Sequence, residues 1–278
     1  MPGYIGRVAR FVPRPGLVGS VMRLWSLLLL TGCAAPAPVM LTVSPPPPDQ
    51  HVPDYARRPF EPFSRTNAIA IALREWRAFG SVVDDGPPRA EAPGPARADN
   101  QPGLWQRVGD YWWFGQDAGT RQSGWTPRYD EFGYPYPAAA PAWSAAFISY
   151  IMRAAGAGDR FTYSPLHADY INAAVNGIGV LQAGAVDRMA PASGDIICMP
   201  RGEAKGLRFQ DLPAPRFTAH CDLVVAATSD ELTVVGGNVG ASVTMKHVPV
   251  AGGLLATGGR VLDGRYNWFA VLRVRYDG

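Results

Sequence analysis

Apolar positions recur at helical spacing through the first two thirds of the chain and give way to strand-like runs after Gly194. Residues 64–79 predict a first helix, with Ser64 as its cap, Ile69, Ala72, Leu73, Trp76 and Phe79 on one stripe, and Gly80 as its stop. Residues 104–114 (LWQRVGDYWWF) fit a short second helix. Residues 144–155 carry a continuous apolar stripe of Phe147, Ile148, Ile151, Met152 and Ala155, closed by Gly156. Residues 165–176 predict another helix, capped by Ser164, with Pro165 in its first turn and Gly177 after it. Asp195–Met199, Cys221–Ala227, Glu231–Val235, Ser242–Val248 and Trp268–Tyr276 then read as strands, with Gly or Pro in most gaps. Helices first and strands afterwards predict an α+β domain over residues 64–278, helices packed on one antiparallel sheet. Residues 81–103, rich in Pro, Gly, Ala and charge, read as a surface loop.

Composition sharpens this picture. The 278 residues include 31 Gly and 27 Pro, well above the usual combined share of roughly 12%. That excess excludes a long helical bundle. No apolar run reaches the ~18 residues that span a bilayer, and nothing repeats at a solenoid period. A formal charge of +3 gives no reason to expect a nucleic-acid partner.

The first 32 residues differ from the rest. They hold Arg7, Arg10, Arg14 and Arg23, no acidic residue, and the apolar stretch Leu24–Leu30 before Thr31-Gly32-Cys33. This is the pattern of an export signal, and the tetrad ending in Cys33 resembles a bacterial lipobox. The resemblance implies a lipid on the Cys33 sulfur and a membrane anchor. Ala34 after it implies sorting to an outer membrane, facing the periplasm. Without the four arginines, basic and acidic residues nearly balance. Residues 33–63, with Pro45–Pro48, read as a Pro-rich tether in extended polyproline geometry. Cys198 and Cys221 remain, either joined in an oxidising compartment or buried as free thiols.

Three landmarks carry candidate chemistry: Ser144 at the start of a helix, His220 at the head of a strand, and Asn238 after Gly236-Gly237. In a first helical turn, free N–H groups stabilise negative charge, which suits a nucleophile; the same position suits a simple cap. Strand alternation puts His220 and Asp222 on one face and turns Cys221 away from His220. Asn238 can orient an imidazole as the third group of a triad, or serve only in a turn. His51 lies in the tether and His247 in an exposed-looking strand. His167 opens a helix, where the charged form is disfavoured; it can contact substrate, act as a second base, or be structural. Trp105, Trp112, Trp113, Trp125, Tyr129, Tyr134 and Tyr136 either pack a helical subdomain or wall a sugar-binding groove. No metal-ligand spacing and no phosphate loop is present, so neither metal nor cofactor is expected.

The order of four pieces resembles the papain-like cell-wall hydrolases of the CHAP and NlpC type. They are Trp143-Ser144-Ala145-Ala146-Phe147, Pro191-Ala192-Ser193-Gly194-Asp195-Ile196-Ile197, His220-Cys221-Asp222-Leu223-Val224-Val225 and Gly236-Gly237-Asn238. Still closer is the resemblance to a family of bacterial envelope proteins with Ser in place of the catalytic Cys. There Arg74-Glu75-Trp76, His167–Tyr170 and His220–Asp222 also look familiar. The resemblance implies a papain-like fold over residues 141–250 with a family-specific helical extension at 64–140. It implies Ser144 as nucleophile, His220 as base and Asn238 or Asp222 as orienter. Trp143, His167 and Asp195 are then expected along the substrate groove. The implied function is an envelope amidase or peptidase acting on peptidoglycan peptide. A hydroxyl where the family has a thiol leaves two other outcomes, a pseudoenzyme that binds peptidoglycan without cutting, and a lipoprotein scaffold for another envelope protein.

Overall fold

The computed structural model describes residues 62–87, 97–115 and 142–277, together with the backbone of two short strands at 127–129 and 135–137. The expectations for residues 1–61, with Cys33 and His51, and for Trp125 and Tyr134 lie outside the described residues, as do the side chains of Tyr129 and Tyr136. No described helix is long and apolar enough to cross a membrane.

Ser64 starts α1 (Arg65–Ala78) by accepting a hydrogen bond from Asn67 N at 3.3 Å. The fully buried positions of α1 are Ala68, Ala72 and Glu75, a stripe shifted from the one predicted. Small side chains there let α1 lie close to the central helix, and Glu75 joins a buried polar network. Next, α2 (Leu104–Phe114) ends at Gly115, where a Cβ would sit 2.5 Å from Ala146 O and 2.9 Å from Tyr150 N. Only a residue without a side chain allows α2 to cross α3 (Ser144–Ala154) so closely. From Ser144 to Met152 every α3 residue except Tyr150 is buried, as befits a helix covered by two helices and a sheet. The last helix, α4, runs over His167–Val175, two residues later at its start than predicted. Ser164 sits ahead of it, accepting from Leu166 N at 3.0 Å and bonding Asp169 Oδ2 at 2.5 Å.

The strands among the described residues are β1 (Pro127–Tyr129), β2 (Pro135–Pro137), β3 (Leu181–Ala185), β4 (Ile196–Pro200), β5 (Ala219–Ala227), β6 (Glu231–Val239), β7 (Ser242–Pro249), β8 (Ala256–Thr257), β9 (Arg260–Val261) and β10 (Ala270–Val274). Six of them form one antiparallel sheet in the order β3-β10-β4-β5-β6-β7. The α+β architecture and the packing of helices on an antiparallel sheet are therefore established. Alternation divides the sheet between two cores. Ile196, Cys198, Cys221, Leu223 and Val235 pack with the helices, whereas Ile197, Met199, Val224, Val234 and Val248 pack with Trp268 and Leu255.

The short pairs β1–β2 and β8–β9 were not expected, and within the six-stranded sheet two strands depart most from the sequence reading. Leu181–Ala185 (LQAGA) has no β-branched or aromatic residue, and gains its strand conformation by pairing with β10 at the sheet edge. β6 continues through Gly236-Gly237-Asn238 to Val239, where turn chemistry was expected. The two glycines have no positive φ and supply room, while the ladder shifts register between Gly236 and Val239, where Asn238 takes a φ of 59°. A Cβ at Gly237 would lie 2.6 Å from Phe147 Cβ and 2.7 Å from Trp143, so this glycine lets α3 press against the sheet. A Cβ at Gly236 would lie 1.7 Å from Asp222 Oδ1 and 3.1 Å from His220 Nε2. The β4–β5 register sets Cys198 directly opposite Cys221, and the two are joined in a disulfide.

Candidate active site

Ser144 is the first residue of α3. The residue before it, Trp143, occupies the cap position and makes no side-chain cap bond. The hydroxyl does not cap the helix either; its partner is His167, with Oγ 2.6 Å from Nε2. Trp143 itself is fully buried against Phe79, Tyr111 and Phe147, and its indole donates to Asp99 Oδ2 at 3.0 Å. Arg97 in turn grips both oxygens of Asp99, at 2.9 and 2.8 Å. This chain of contacts fixes the entry to α3 and so the position of the nucleophile candidate.

His167, the first residue of α4, has its second ring nitrogen, Nδ1, against the hydroxyl of Tyr170 one turn later. Both side chains are buried. Burial, and after it the proximity of His220, pushes the His167 pKa well below the usual histidine range. Burial, with the charge of Asp222 nearby, pushes the Tyr170 phenol well above its usual range. A neutral imidazole with Nδ1–H donating to the Tyr170 oxygen leaves Nε2 bare to accept the Ser144 proton.

His220 lies close by, its ring centre 5.7 Å from that of His167. Its Nε2 is bonded to Asp222 Oδ1 at 2.8 Å, so the two side chains share the strand face turned away from Cys221. Asp222 Oδ2 lies 2.6 Å from Lys246 Nζ of β7. The latter contact is an ion pair without hydrogen-bond alignment. His220, Asp222 and Lys246 are each 0% exposed. Burial alone would raise the Asp222 pKa, but Lys246 and then His220 outweigh it and hold the carboxylate ionised below the usual range. Burial lowers the His220 pKa despite Asp222.

The structure therefore brings Ser144, His167, Tyr170, His220, Asp222 and Lys246 into one buried cluster. It differs from the expected triad at several points. The imidazole bonded to Ser144 belongs to His167, while His220 bonds Asp222 through its Nε2. Of the two expected orienters, Asp222 is the one bonded to His220, and Asn238 is not. Asn238 is buried with a φ of 59°, and its Oδ1 has no hydrogen-bond partner among the described residues. Trp143 is sealed in the core and cannot line a groove. Asp195 is also structural, accepting from Ala192 N at 2.9 Å and Val274 N at 3.0 Å. It ties the turn before β4 to β10. His247 pairs with Asp85 at 2.9 Å, away from this cluster. Of the predicted aromatic wall, Trp112 is buried and Trp113 is exposed.

Sequence reasoning missed Lys246 and the pairing of Tyr170 with His167. The one local signal for Lys246 is a cation on the strand parity that it shares with apolar Val248. No group of three or more metal-binding side chains exists among the described residues. The cluster's donor set suits proton transfer and acyl chemistry rather than ion binding.

No curated protein and no solved structure matches this chain. A family profile does match residues 99–274, a span that runs from Asp99 through every member of the cluster to the end of β10. Its description reads "Uncharacterized protein conserved in bacteria (DUF2272)". With well over half of its length matched, the chain belongs to that bacterial family.

Proposed function

We propose that this protein is an acyl hydrolase of the amidase or peptidase type, papain-like in the order of its site elements, in which Ser144 attacks a carbonyl and His167 is the base. The observation that carries this reading is the 2.6 Å contact between Ser144 Oγ and His167 Nε2 at the N-terminus of α3. His167 Nε2 takes the hydroxyl proton as Oγ bonds to the carbonyl carbon. The N–H groups of the first turn of α3 have no partner within the helix and offer donors to the oxyanion. The imidazolium then returns its proton to the leaving amine as the C–N bond breaks. Water attacks the acyl-serine with His167 again as base. The ordered motifs around Ser144, His220 and Gly236-Gly237-Asn238 support peptidoglycan peptide as the substrate class. The tetrad ending in Cys33 supports a lipid anchor, and Ala34 after it supports the outer membrane.

Burial favours a second reading. Ser144 is 5% exposed and His220 is fully buried, which fits a site that has kept its architecture for binding peptidoglycan and lost turnover. Purified protein incubated with sacculi separates the two. Under the hydrolase reading, soluble fragments appear, and Ser144→Ala or His167→Gln lowers their release by ~10³-fold or more. Undiminished release from Ser144→Ala removes Ser144 from the mechanism. Under the binding reading, wild type sediments with sacculi, releases nothing, and gains turnover on Ser144→Cys.

A further inference from the structure

We infer that Lys246, acting through Asp222, holds His220 as a neutral imidazole with its proton on Nε2, so that the bare Nδ1 is a buried acceptor for an N–H group of the substrate. This rests on the proposed function for where substrate lies. It adds a recognition element that the serine–histidine pair does not contain.

The two oxygens of Asp222 have different partners. One accepts from His220 Nε2 at 2.8 Å, and the other faces the Lys246 ammonium at 2.6 Å. A carboxylate beside an ammonium stays ionised and can only accept, so Nε2 must be the donor. The cluster already balances one cation against one anion in a fully buried place. A second proton on His220 would leave a net buried positive charge, which low-dielectric surroundings disfavour. One proton on the ring, placed on Nε2, leaves Nδ1 with a lone pair.

That lone pair is unsatisfied. His220 Nδ1 has no hydrogen-bond partner among the described residues, although the residue is 0% exposed. Buried acceptors are nearly always paired, and an orphan beside a reactive pair calls for an incoming donor. The ring lies 5.7 Å from the ring of His167, which places it beside the nucleophile's base. Asn238 Oδ1, on the strand that passes His220 at Gly236, is a second buried oxygen without a partner. Both orphans are acceptors. An amide or an amine supplies what they need, whereas an ester oxygen or a carboxylate does not. Lys246 is thus a positioning residue, and His220 Nδ1 reads the nitrogen side of the scissile bond.

The charged and titratable groups facing His220 are Asp222 on its own strand, Lys246 on β7, His167 on α4 and Arg201 after β4. Nitrogen-15 spectra of the histidine-labelled full chain test the assignment, with His220 identified by the signals lost in His220→Gln. The expected wild-type pattern is neutral, protonated on Nε2, and unchanged between about pH 7 and pH 5.5. In Lys246→Met the negative Asp222 is left alone with the ring, and His220 is expected as imidazolium at pH 7. A proton on Nδ1 or an imidazolium in wild type overturns the inference, as does an unchanged spectrum in Lys246→Met. If Lys246→Met does not fold, Lys246→Arg must keep the wild-type pattern, and the wild-type spectrum still decides the tautomer. Acetamide and methyl acetate, added to Ser144→Ala, probe the ligand class. A shift of the Nδ1 signal with acetamide alone is expected. An equal shift with both, or none with either, overturns recognition of the N–H donor. Neither spectrum depends on turnover, so failure here leaves the sacculus assay of Ser144 standing, and the reverse holds too.

Discussion

Glu75 and Asp222 are both carboxylates buried to 0% exposure, and they are satisfied in opposite ways. Glu75 sits on α1 among Arg74 at 2.8 Å, Arg107 at 2.9 Å and Tyr111 at 2.6 Å. Its two arginines reach partly into solvent, so much of the network's charge stays hydrated. Asp222 has an ammonium and an imidazole for partners, each as buried as itself, and the imidazole keeps a bare nitrogen. A saturated acid with wet partners holds two helices together. A dry acid whose partner retains an unused lone pair leaves an unmet polar group beside the Ser144–His167 pair.

The largest expected effect tests the dry cluster. Asp222→Asn leaves Lys246 as an uncompensated buried charge and should cost about 3–5 kcal/mol in urea denaturation. A loss below that of Glu75→Gln would break the comparison. Replacing both Cys198 and Cys221 by Ala opens a loop with a sequence separation of 23 and should cost about 3 kcal/mol, read from the same denaturation curves. The backbone pairing of β4 with β5 would remain, so His220 should still bond Asp222. Glu75→Gln should cost about 2 kcal/mol, because one oxygen still accepts while the new NH₂ faces donors. It should leave the His220 nitrogen spectrum unchanged, which sharpens the contrast between the two acids.

The smallest effect is in pH. His167 and His220 have lowered folded-state pKa values, so below about pH 6.5 the unfolded chain binds more protons than the folded one. Their contribution to stability is complete above that pH and is lost as pH falls through the folded values. Urea midpoints at about pH 7.5 and pH 5.5 should fall in that order, and by less in His167→Gln. Asp222, lowered for the opposite kind of group, contributes above about pH 3.9 and loses that contribution only in stronger acid.

Local periodicity made much of the fold legible. The stripe from Phe147 to Met152 predicted α3, and the apolar runs after Gly194 predicted the central strands, because both signals repeat within a few residues. β3 was illegible because LQAGA has no intrinsic strand preference and is recruited by its partner. Ser144, His167, His220 and Asp222 were all visible as candidates, and alternation correctly put the last two on one face. Which imidazole meets the hydroxyl was not visible. Ser144 and His167 are 23 residues apart and Asp222 and Lys246 lie on strands separated by β6, so tertiary packing alone decides those pairs. Gly236 and Gly237 misled for a related reason: an absent side chain looks the same whether it frees the backbone or makes room for a neighbour.

The bond from the Trp143 indole to Asp99 has a mechanical meaning. Asp99 is carried by a short 3₁₀ turn, Ala98–Asn100, ahead of α2, and that turn is itself held by Arg97 and by the backbone of Ala241. The turn and the peptide that begins α3 are thus coupled through one indole ring, so a change that loosens Asp99 removes a brace from the residue next to the serine hydroxyl.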